Sequence, residues 1–145
     1  MQWDIGSYQV DTDRQRLDMP RIYEFLRTTY WANNRCFDEV STAWAHSKVV
    51  FGVYSQSDDG AQIGCARVVT DTRTFGWLAD VFIAPENRGQ GLGKFLVERI
   101  TEHPDCARLR LFLLGTRDAH GLYAQYGWEP PYYVERYMVR TPQKP

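Results

Sequence analysis

The sequence is poor in the residues that hold small domains together through disulfides or metals. Only three cysteines and three histidines occur among 145 residues, and no two cysteines are spaced as C-x-x-C. An odd number of widely separated cysteines fits neither a disulfide framework nor a zinc ribbon. We therefore expect reduced thiols in a cytoplasmic protein, with no metal site. At this length a single domain spanning residues 1–145 can bury enough apolar surface to fold without cross-links.

Two further absences restrict the partners. No apolar run approaches the roughly 20 residues of a membrane span, and the N-terminal residues are too polar for a secretory signal. The 17 basic and 18 acidic side chains give a formal net charge of −1, so the basic excess of a nucleic-acid binder is missing. We expect neither a membrane nor a nucleic acid as partner. Aromatic residues, in contrast, make up 14% of the chain, enough to fill a core and also line a pocket.

The hydrophobic pattern predicts a mixed α/β chain. Predicted strands lie at 7–12, 49–55, 62–70, 76–84, 109–115 and 132–140, and the 109–115 run is apolar enough to be buried on both faces. Predicted helices begin after the N-cap Asp18, at Asp38, at Leu92 and at Arg117. The last strand either completes the chain's own sheet or pairs with a second copy to give a homodimer. A proline-bearing tail, 141–145, follows it.

A glycine-dense turn between the 76–84 strand and the next helix carries the clearest chemical signal. It reads Arg88-Gly89-Gln90-Gly91-Leu92-Gly93-Lys94. Converging backbone N–H groups and the positive end of a helix predict an anion-binding site there. The glycine spacing meets neither the dinucleotide pattern G-x-G-x-x-G nor the Walker A pattern, which makes an ordinary nucleotide site a weaker interpretation.

The pattern that does fit is Arg-x-x-Gly-x-Gly after a strand that ends at a proline. Together with a second block, Ala119-His120-Gly121-Leu122-Tyr123-Ala124-Gln125-Tyr126-Gly127-Trp128, it resembles the GNAT superfamily of N-acetyltransferases. The similarity covers roughly residues 49–130. The resemblance implies a mixed, mostly antiparallel sheet in which two central parallel strands splay around acetyl-CoA, with helices on both faces.

The resemblance also implies roles for individual residues. The backbone of Phe82 and Ile83 would pair with the pantetheine arm of acetyl-CoA, and the turn amides from Arg88 to Lys94 would hold its pyrophosphate. The backbone N–H of Val81 would lie beside the thioester carbonyl, where it stabilises developing negative charge. Tyr123 would protonate the departing thiolate, unless it is only a core aromatic. Thr116 stands where the family often has an asparagine that binds pantetheine, which weakens that contact.

The acceptor amine must lose a proton before it attacks, so a base is wanted near the sulfur. Asp80 is the first candidate because a charge on an otherwise apolar strand is costly unless it is used; an ion pair with Arg67 explains it equally well. His120, three residues before Tyr123, is the second candidate, although a surface position explains it too. Asp71, at a strand end, and Asp118 are weaker candidates. Tyr30, Trp31 and Arg35 lie where the family builds its acceptor pocket, and they suit a planar or carboxylate-bearing substrate. Alternatively, Tyr30 only completes a helix stripe and Arg35 is solvated.

The sequence thus predicts an acetyl-CoA-dependent N-acetyltransferase that acts on a primary amine of a small molecule or peptide. Because Cys65 and Cys106 fall on predicted buried segments without a histidine at nucleophile spacing, direct attack in a ternary complex is expected. A non-catalytic acyl-CoA-binding module on the same fold is the alternative, and the intact Tyr123 and charged Asp80 favour the enzyme.

Overall fold

The computed structural model describes residues 1–140, in which six strands form one sheet in chain order. The strands are β1 (Gln2–Ile5), β2 (Tyr8–Asp11), β3 (Val49–Ser55), β4 (Gln62–Thr70), β5 (Phe75–Ile83) and β6 (Leu111–Leu114). Neighbours are antiparallel except for β5 and β6, which are parallel. The expected mixed, mostly antiparallel sheet is confirmed, and its parallel pair ends the described sheet instead of lying at its centre.

Four helices accompany the sheet: α1 (Met19–Arg27), α2 (Phe37–Ala45), α3 (Leu92–Glu102) and α4 (His120–Ala124). Asp18 caps α1 as expected, because its carboxylate accepts the N–H of Arg21 at 3.0 Å. The connection from β5 through α3 to β6 is the crossover that a parallel pair of strands requires. Among residues 1–140 no helix has both the length and the apolar character to cross a membrane.

Strand β3 lies in the middle of the core. All seven of its residues are buried, and because alternate side chains point to opposite faces, both faces of the sheet are covered here. The largest fully buried side chains are Trp44 of α2, Phe51 of β3 and Ile22 of α1. The strands separate away from this packed centre, at the β5–β6 end of the sheet.

The first strand was only partly predicted. In place of one strand at 7–12, the chain forms a hairpin of β1 and β2 around a two-residue turn, Gly6-Ser7. Gly6 has a φ of +56°, which a glycine adopts without strain. The dipeptide Gly-Ser between two alternating segments was the signal that identifies this hairpin.

The end of the chain differs more from the prediction. The final strand at 132–140 is wrong, since the segment forms only a short 3-10 turn at Val134–Arg136 and its residues are exposed. Burial of the 109–115 strand on both faces is also wrong, because β6 is an edge strand whose residue Leu111 is 37% exposed. Alternating apolar residues show that a segment suits a sheet, but pairing needs a strand beside it, and Pro130-Pro131 lead into the segment without N–H donors. The predicted tail, 141–145, lies outside the described residues.

Helix α1 is shorter than its apolar stripe suggested. The hydroxyls of Thr28 and Thr29 donate to the carbonyls of Phe25 and Leu26, both at 2.7 Å, where the helix ends. Tyr30 therefore lies outside the helix, and the interpretation of Tyr30 as a stripe residue is wrong. Helix α4 is likewise shorter than predicted, covering His120–Ala124 instead of 117–126.

Candidate active site

Strands β5 and β6 stay together over only four residue pairs, from Phe75 with Leu111 to Leu78 with Leu114. Beyond Leu78, β5 continues along β4 without a partner on its other side among residues 1–140. A β-bulge lies at this point, where Asp80 and Val81 together face the single residue Ala66. The sheet therefore opens along residues 79–83 of β5, where an extended ligand can add to the strand edge.

The backbone of β5 directs some of its hydrogen-bonding groups into this opening. Ala84 donates its N–H to the carbonyl of Ile63 at 2.8 Å, so residue 84 faces β4. Because successive residues of a strand point their backbone groups to alternate sides, Phe82 also faces β4, whereas Val81 and Ile83 face the opening. The side chain of Phe82 stacks on Phe25 of α1, with ring centroids 4.8 Å apart.

The glycine turn continues directly from this strand into α3. Gly91 is the N-cap residue of α3, no side chain caps the helix, and its first turn holds no acidic residue. Gly89 and Gly91 have φ values of +78° and +80°, and a Cβ atom at either position would meet no atom within 4 Å. The N–H groups of the first helical turn are therefore uncapped by any side chain, beside glycines with open space around them, which suits an anion site at a helix N-terminus.

The polar side chains of the turn point in different directions. Nε of Arg88 donates to the carbonyl of Ile83 at 2.9 Å, which ties the turn to the end of β5. Gln90 accepts the hydroxyl of Tyr8 at 3.0 Å, and Lys94 is exposed in the first turn of α3. The turn thus has fixed backbone amides and two exposed cationic side chains.

A cavity of about 260 Å³ lies where the strands separate. Among the residues that line it are Tyr30, Trp31, Arg35, Asp80, Val81 and Tyr123, all of which the sequence singled out. Thr116 also lines the cavity, and its hydroxyl accepts the N–H of Ala119 at 3.0 Å at the start of α4. Trp77 of β5 is a further wall that sequence reasoning missed, because its alternation with buried neighbours reads as an ordinary exposed strand residue.

Tyr123 contributes a phenol to the lining of the cavity. Its side chain is 8% exposed, and burial raises the pKa of Tyr123 to about 12, with a smaller contribution from Tyr30. A phenol with this pKa keeps its proton at neutral pH, so it can donate a hydrogen bond or a proton to a group in the cavity.

Asp80 lies in the bulge between two arginines. Nε of Arg67 donates to its Oδ2 at 2.5 Å, and Nη1 of Arg35 donates to its Oδ1 at 3.1 Å. Asp80 and Arg67 are buried, whereas the side chain of Arg35 is one-third exposed toward the cavity. Asp80 has a φ of +54°, a left-handed conformation that aspartate tolerates better than most residues. The ion pair with Arg67, an alternative that the sequence left open, is present.

Two aromatic residues close the cavity from the α1–α2 side. The hydroxyl of Tyr30 accepts the backbone N–H of Arg117 at 3.0 Å, and the Arg117 guanidinium lies 3.9 Å above the ring centroid of Tyr30. Trp31 packs edge-on against Tyr30, with ring centroids 5.0 Å apart. These contacts join the α1–α2 connection to the β6–α4 loop across the cavity.

Comparison with known proteins agrees with this geometry. The model of the acetyltransferase (GNAT) domain family matches residues 48–130. A solved GNAT-family structure from Xanthomonas campestris, described as a candidate acetyltransferase, is 41% identical, with 95% of each chain covered and a TM-score of 0.87. The chain belongs to the GNAT family.

Two more distant proteins are also similar to this GNAT chain. A candidate acetyltransferase of Gibberella zeae is 29% identical over 141 residues, which covers 85% of this chain and 79% of that protein. The solved glucosamine-6-phosphate N-acetyltransferase of Arabidopsis thaliana is only 14% identical, covers 96% of this chain and 99% of its own, and has a TM-score of 0.66. At that identity the likeness shows the fold alone.

GNAT acetyltransferases use acetyl-CoA as co-substrate, and the residues present here fit it. The turn around Gly91 supports this fit, because the space that a Cβ would occupy there is open and no side chain caps the helix amides. The unpaired edge of β5 leads from this turn to the cavity at Val81. The chain therefore offers a polar cradle, an extended strand edge and a cavity in the order in which acetyl-CoA carries its pyrophosphate, pantetheine and thioester.

Of the three other base candidates, His120 and Asp71 lie away from this arrangement. His120 is exposed at the first position of α4 and does not line the cavity. The carboxylate of Asp71, a weaker base candidate, accepts the Thr74 hydroxyl and three backbone N–H groups of the β4–β5 turn. Asp118 lines the cavity, but it is mostly exposed and pairs with Arg117 at 3.4 Å. Among residues 1–140 no group of three His, Cys, Asp or Glu side chains is placed to hold a metal ion.

Proposed function

We propose that this GNAT protein transfers the acetyl group of acetyl-CoA to a primary amine by direct attack in a ternary complex. The observation that carries the proposal is the continuous path along β5, from the uncapped helix amides near Gly91 to the bulge at Val81. Acetyl-CoA supplies the activated acetyl thioester. The residues of the chain bind acetyl-CoA, orient it and transfer protons.

In this proposal the amides of the glycine turn bind the pyrophosphate, and the inward-facing backbone groups of Val81 and Ile83 pair with the pantetheine arm. The alternation of β5 favours these two residues over Phe82, whose backbone groups face β4. Thr116, which lines the same cavity, is left as a secondary contact because its hydroxyl already accepts from Ala119.

The acceptor nitrogen then attacks the thioester carbonyl carbon, a C–N bond forms and the C–S bond breaks. The N–H of Val81 donates to the carbonyl oxygen as charge develops there. Tyr123 gives its proton to the departing sulfur, and the proton lost by the amine leaves to water at the open side of the cavity. Both carboxylate oxygens of Asp80 already accept from arginine, which supports a positioning role for Asp80 over a role as base.

Direct transfer is favoured over a cysteine relay by the state of the thiols. Burial raises the pKa of Cys65, with a smaller effect from Asp80, and burial raises the pKa of Cys106 to about 12. A protonated, buried thiol is a poor nucleophile. Free cysteines also support a reducing location such as the cytoplasm.

The test is a calorimetric titration of the protein with acetyl-CoA, CoA, ATP and NAD. We expect acetyl-CoA and CoA to bind more tightly than ATP or NAD. Gly91→Ala should weaken acetyl-CoA binding about tenfold or more, since it shifts amides that hold a charged group. The matched control is Gly60→Ala, at another glycine with positive φ (+74°) and open space around the added Cβ, in the β3–β4 turn. Equal binding of NAD, or equal effects of the two variants, would refute the cradle.

A second measurement separates the enzyme from a non-catalytic acyl-CoA-binding module. Primary amines are added to the protein with acetyl-CoA, and acetylated products are followed by mass spectrometry, because the exposed Cys36 would react with thiol reagents. Acetylation of an amine supports the enzyme. Tight acetyl-CoA binding without acetylation of any amine in a broad panel supports the binding module.

A further inference from the structure

We propose that Arg35 binds the carboxylate of the acceptor, so that the substrate is an amino acid or a similarly short aminocarboxylic acid. This inference rests on the proposed function, since it names the class of amine that the same site acetylates. It arises from an imbalance of charge in the bulge, where two guanidinium groups share one carboxylate.

The two arginines differ in burial, and this difference decides which of them can bind a second carboxylate. Arg67 is buried and does not line the cavity, and it donates from Nε to Asp80 at 2.5 Å and from Nη1 to the hydroxyl of Ser47 at 3.2 Å. Arg35 is the partner with capacity left. Among residues 1–140 the hydrogen bonds of its guanidinium all leave Nη1 and all end on Asp80. Its Nη2 and Nε therefore remain to bind a second carboxylate, for which the planar guanidinium fork is well shaped.

The position of Arg35 fits an acceptor subsite. Arg35 lines the cavity with Val81 and Tyr123, the residues proposed to act on the thioester. Asp80, which holds Arg35, directly precedes Val81 in the chain. A carboxylate bound by Arg35 thus lies close to the thioester position, and only an acceptor with a short separation between its carboxylate and its amine can reach both.

The other charged groups near the cavity do not oppose the binding of a carboxylate at Arg35. Asp118 lines the cavity, but it is mostly exposed and pairs with Arg117 at 3.4 Å, so the pair adds little net charge. The other walls include the aromatic side chains of Tyr30, Trp31 and Trp77, which favour a flat or apolar body on the acceptor. A polyamine, which carries several positive charges and no carboxylate, is disfavoured by the same arrangement.

The first test measures binding without catalysis. Wild-type protein is titrated calorimetrically with N-acetylphenylalanine and with its uncharged amide, each with and without CoA. We expect the acid to bind about 10- to 100-fold more tightly than the amide, as a charged hydrogen-bonded pair predicts. In Arg35→Gln this preference should disappear, and in Arg35→Lys part of it should return. Asp80 keeps its buried partner Arg67 in both variants, so the fold should persist.

The matched control is Arg27→Gln, which removes an arginine of α1 that pairs with the exposed Glu24 and does not line the cavity. It should leave the acid preference and acetyl-CoA binding unchanged. Equal binding of acid and amide by the wild type, failure of both to bind, or an equal preference in Arg35→Gln and wild type would each overturn the inference.

The second test uses turnover with phenylalanine, phenylalaninamide and phenethylamine. We expect kcat/KM to be highest for phenylalanine in the wild type, and the differences to collapse in Arg35→Gln while acetyl-CoA affinity stays the same. If amines are acetylated without regard to the carboxylate, the Arg35 subsite is refuted and the proposed function stands. If acetyl-CoA does not bind at all, the proposed function fails, whatever the carboxylates do.

Discussion

Replacing Asp80 by asparagine should destabilise the protein strongly, although the change alters only one charged group. Asparagine tolerates the left-handed backbone conformation of this position, so the bulge itself can persist. The loss is electrostatic, because Arg67 is left buried without its carboxylate partner. Breaking one side of a buried ion pair costs about 3 to 5 kcal/mol, which for a domain of this size corresponds to a fall in Tm of roughly 6 to 20 °C.

The assay is urea denaturation followed by circular dichroism, with Asp59→Asn as matched control. Asp59 also has a positive φ, +46°, but it is exposed in the β3–β4 turn. Its replacement should change the free energy of unfolding by less than about 0.5 kcal/mol. The double variant Asp80→Asn with Arg67→Gln removes both buried charges, and it should recover about 2 kcal/mol or more relative to Asp80→Asn alone.

Two results would refute this reasoning. One is an unfolding free energy of Asp80→Asn that equals that of Asp59→Asn, and the other is a double variant whose loss is the plain sum of the single losses. The double variant also separates the roles considered for Asp80. If it is stable and still acetylates phenethylamine at a rate near that of the wild type, Asp80 is not the base. If it is stable but inactive with every amine, the site requires the Asp80 carboxylate.

Two further predictions concern protons and thiols at the site. Tyr123→Phe should lower kcat about 100-fold or more while acetyl-CoA affinity is retained, because the sulfur loses its proton donor. The pKa of Tyr123 is raised to about 12, so its acid form persists as pH increases. The wild-type rate should therefore not fall through Tyr123 ionisation below about pH 11. An unchanged kcat in the variant, or a wild-type decline near pH 10 that the variant lacks, would contradict this. In the folded protein an aromatic disulfide reagent should modify only the exposed Cys36, and in urea all three cysteines. Rapid reaction of a second thiol in the folded state would show that Cys65 or Cys106 is accessible.

The parts of the fold that were predicted correctly depend on short-range patterns. The Asp18 cap, the strands at 49–55 and 62–70 and the start of α3 after the glycine turn all follow from residues within a few positions of one another. The final strand at 132–140 failed because pairing needs a neighbouring edge, which no local pattern reports. The length of α1 failed because two threonine hydroxyls compete for carbonyls at its end, a detail that the apolar stripe conceals.

The sequence by itself determined the family and predicted the cradle, because Gly89 and Gly91 precede a helix and permit the positive φ that the turn adopts. It also marked Asp80 as a charge that needed an explanation. Only the tertiary structure shows that the ion pair with Arg67 is present. Asp80, Arg67 and Arg35 come from β5, β4 and the α1–α2 connection, and their hydrogen bonds exist only once these elements pack. The divergence of β5 from β6, which creates the cavity, is likewise a property of how two distant segments meet. Contacts between residues far apart in the chain depend on how the whole molecule packs, so they cannot be predicted from patterns of neighbouring residues in the sequence.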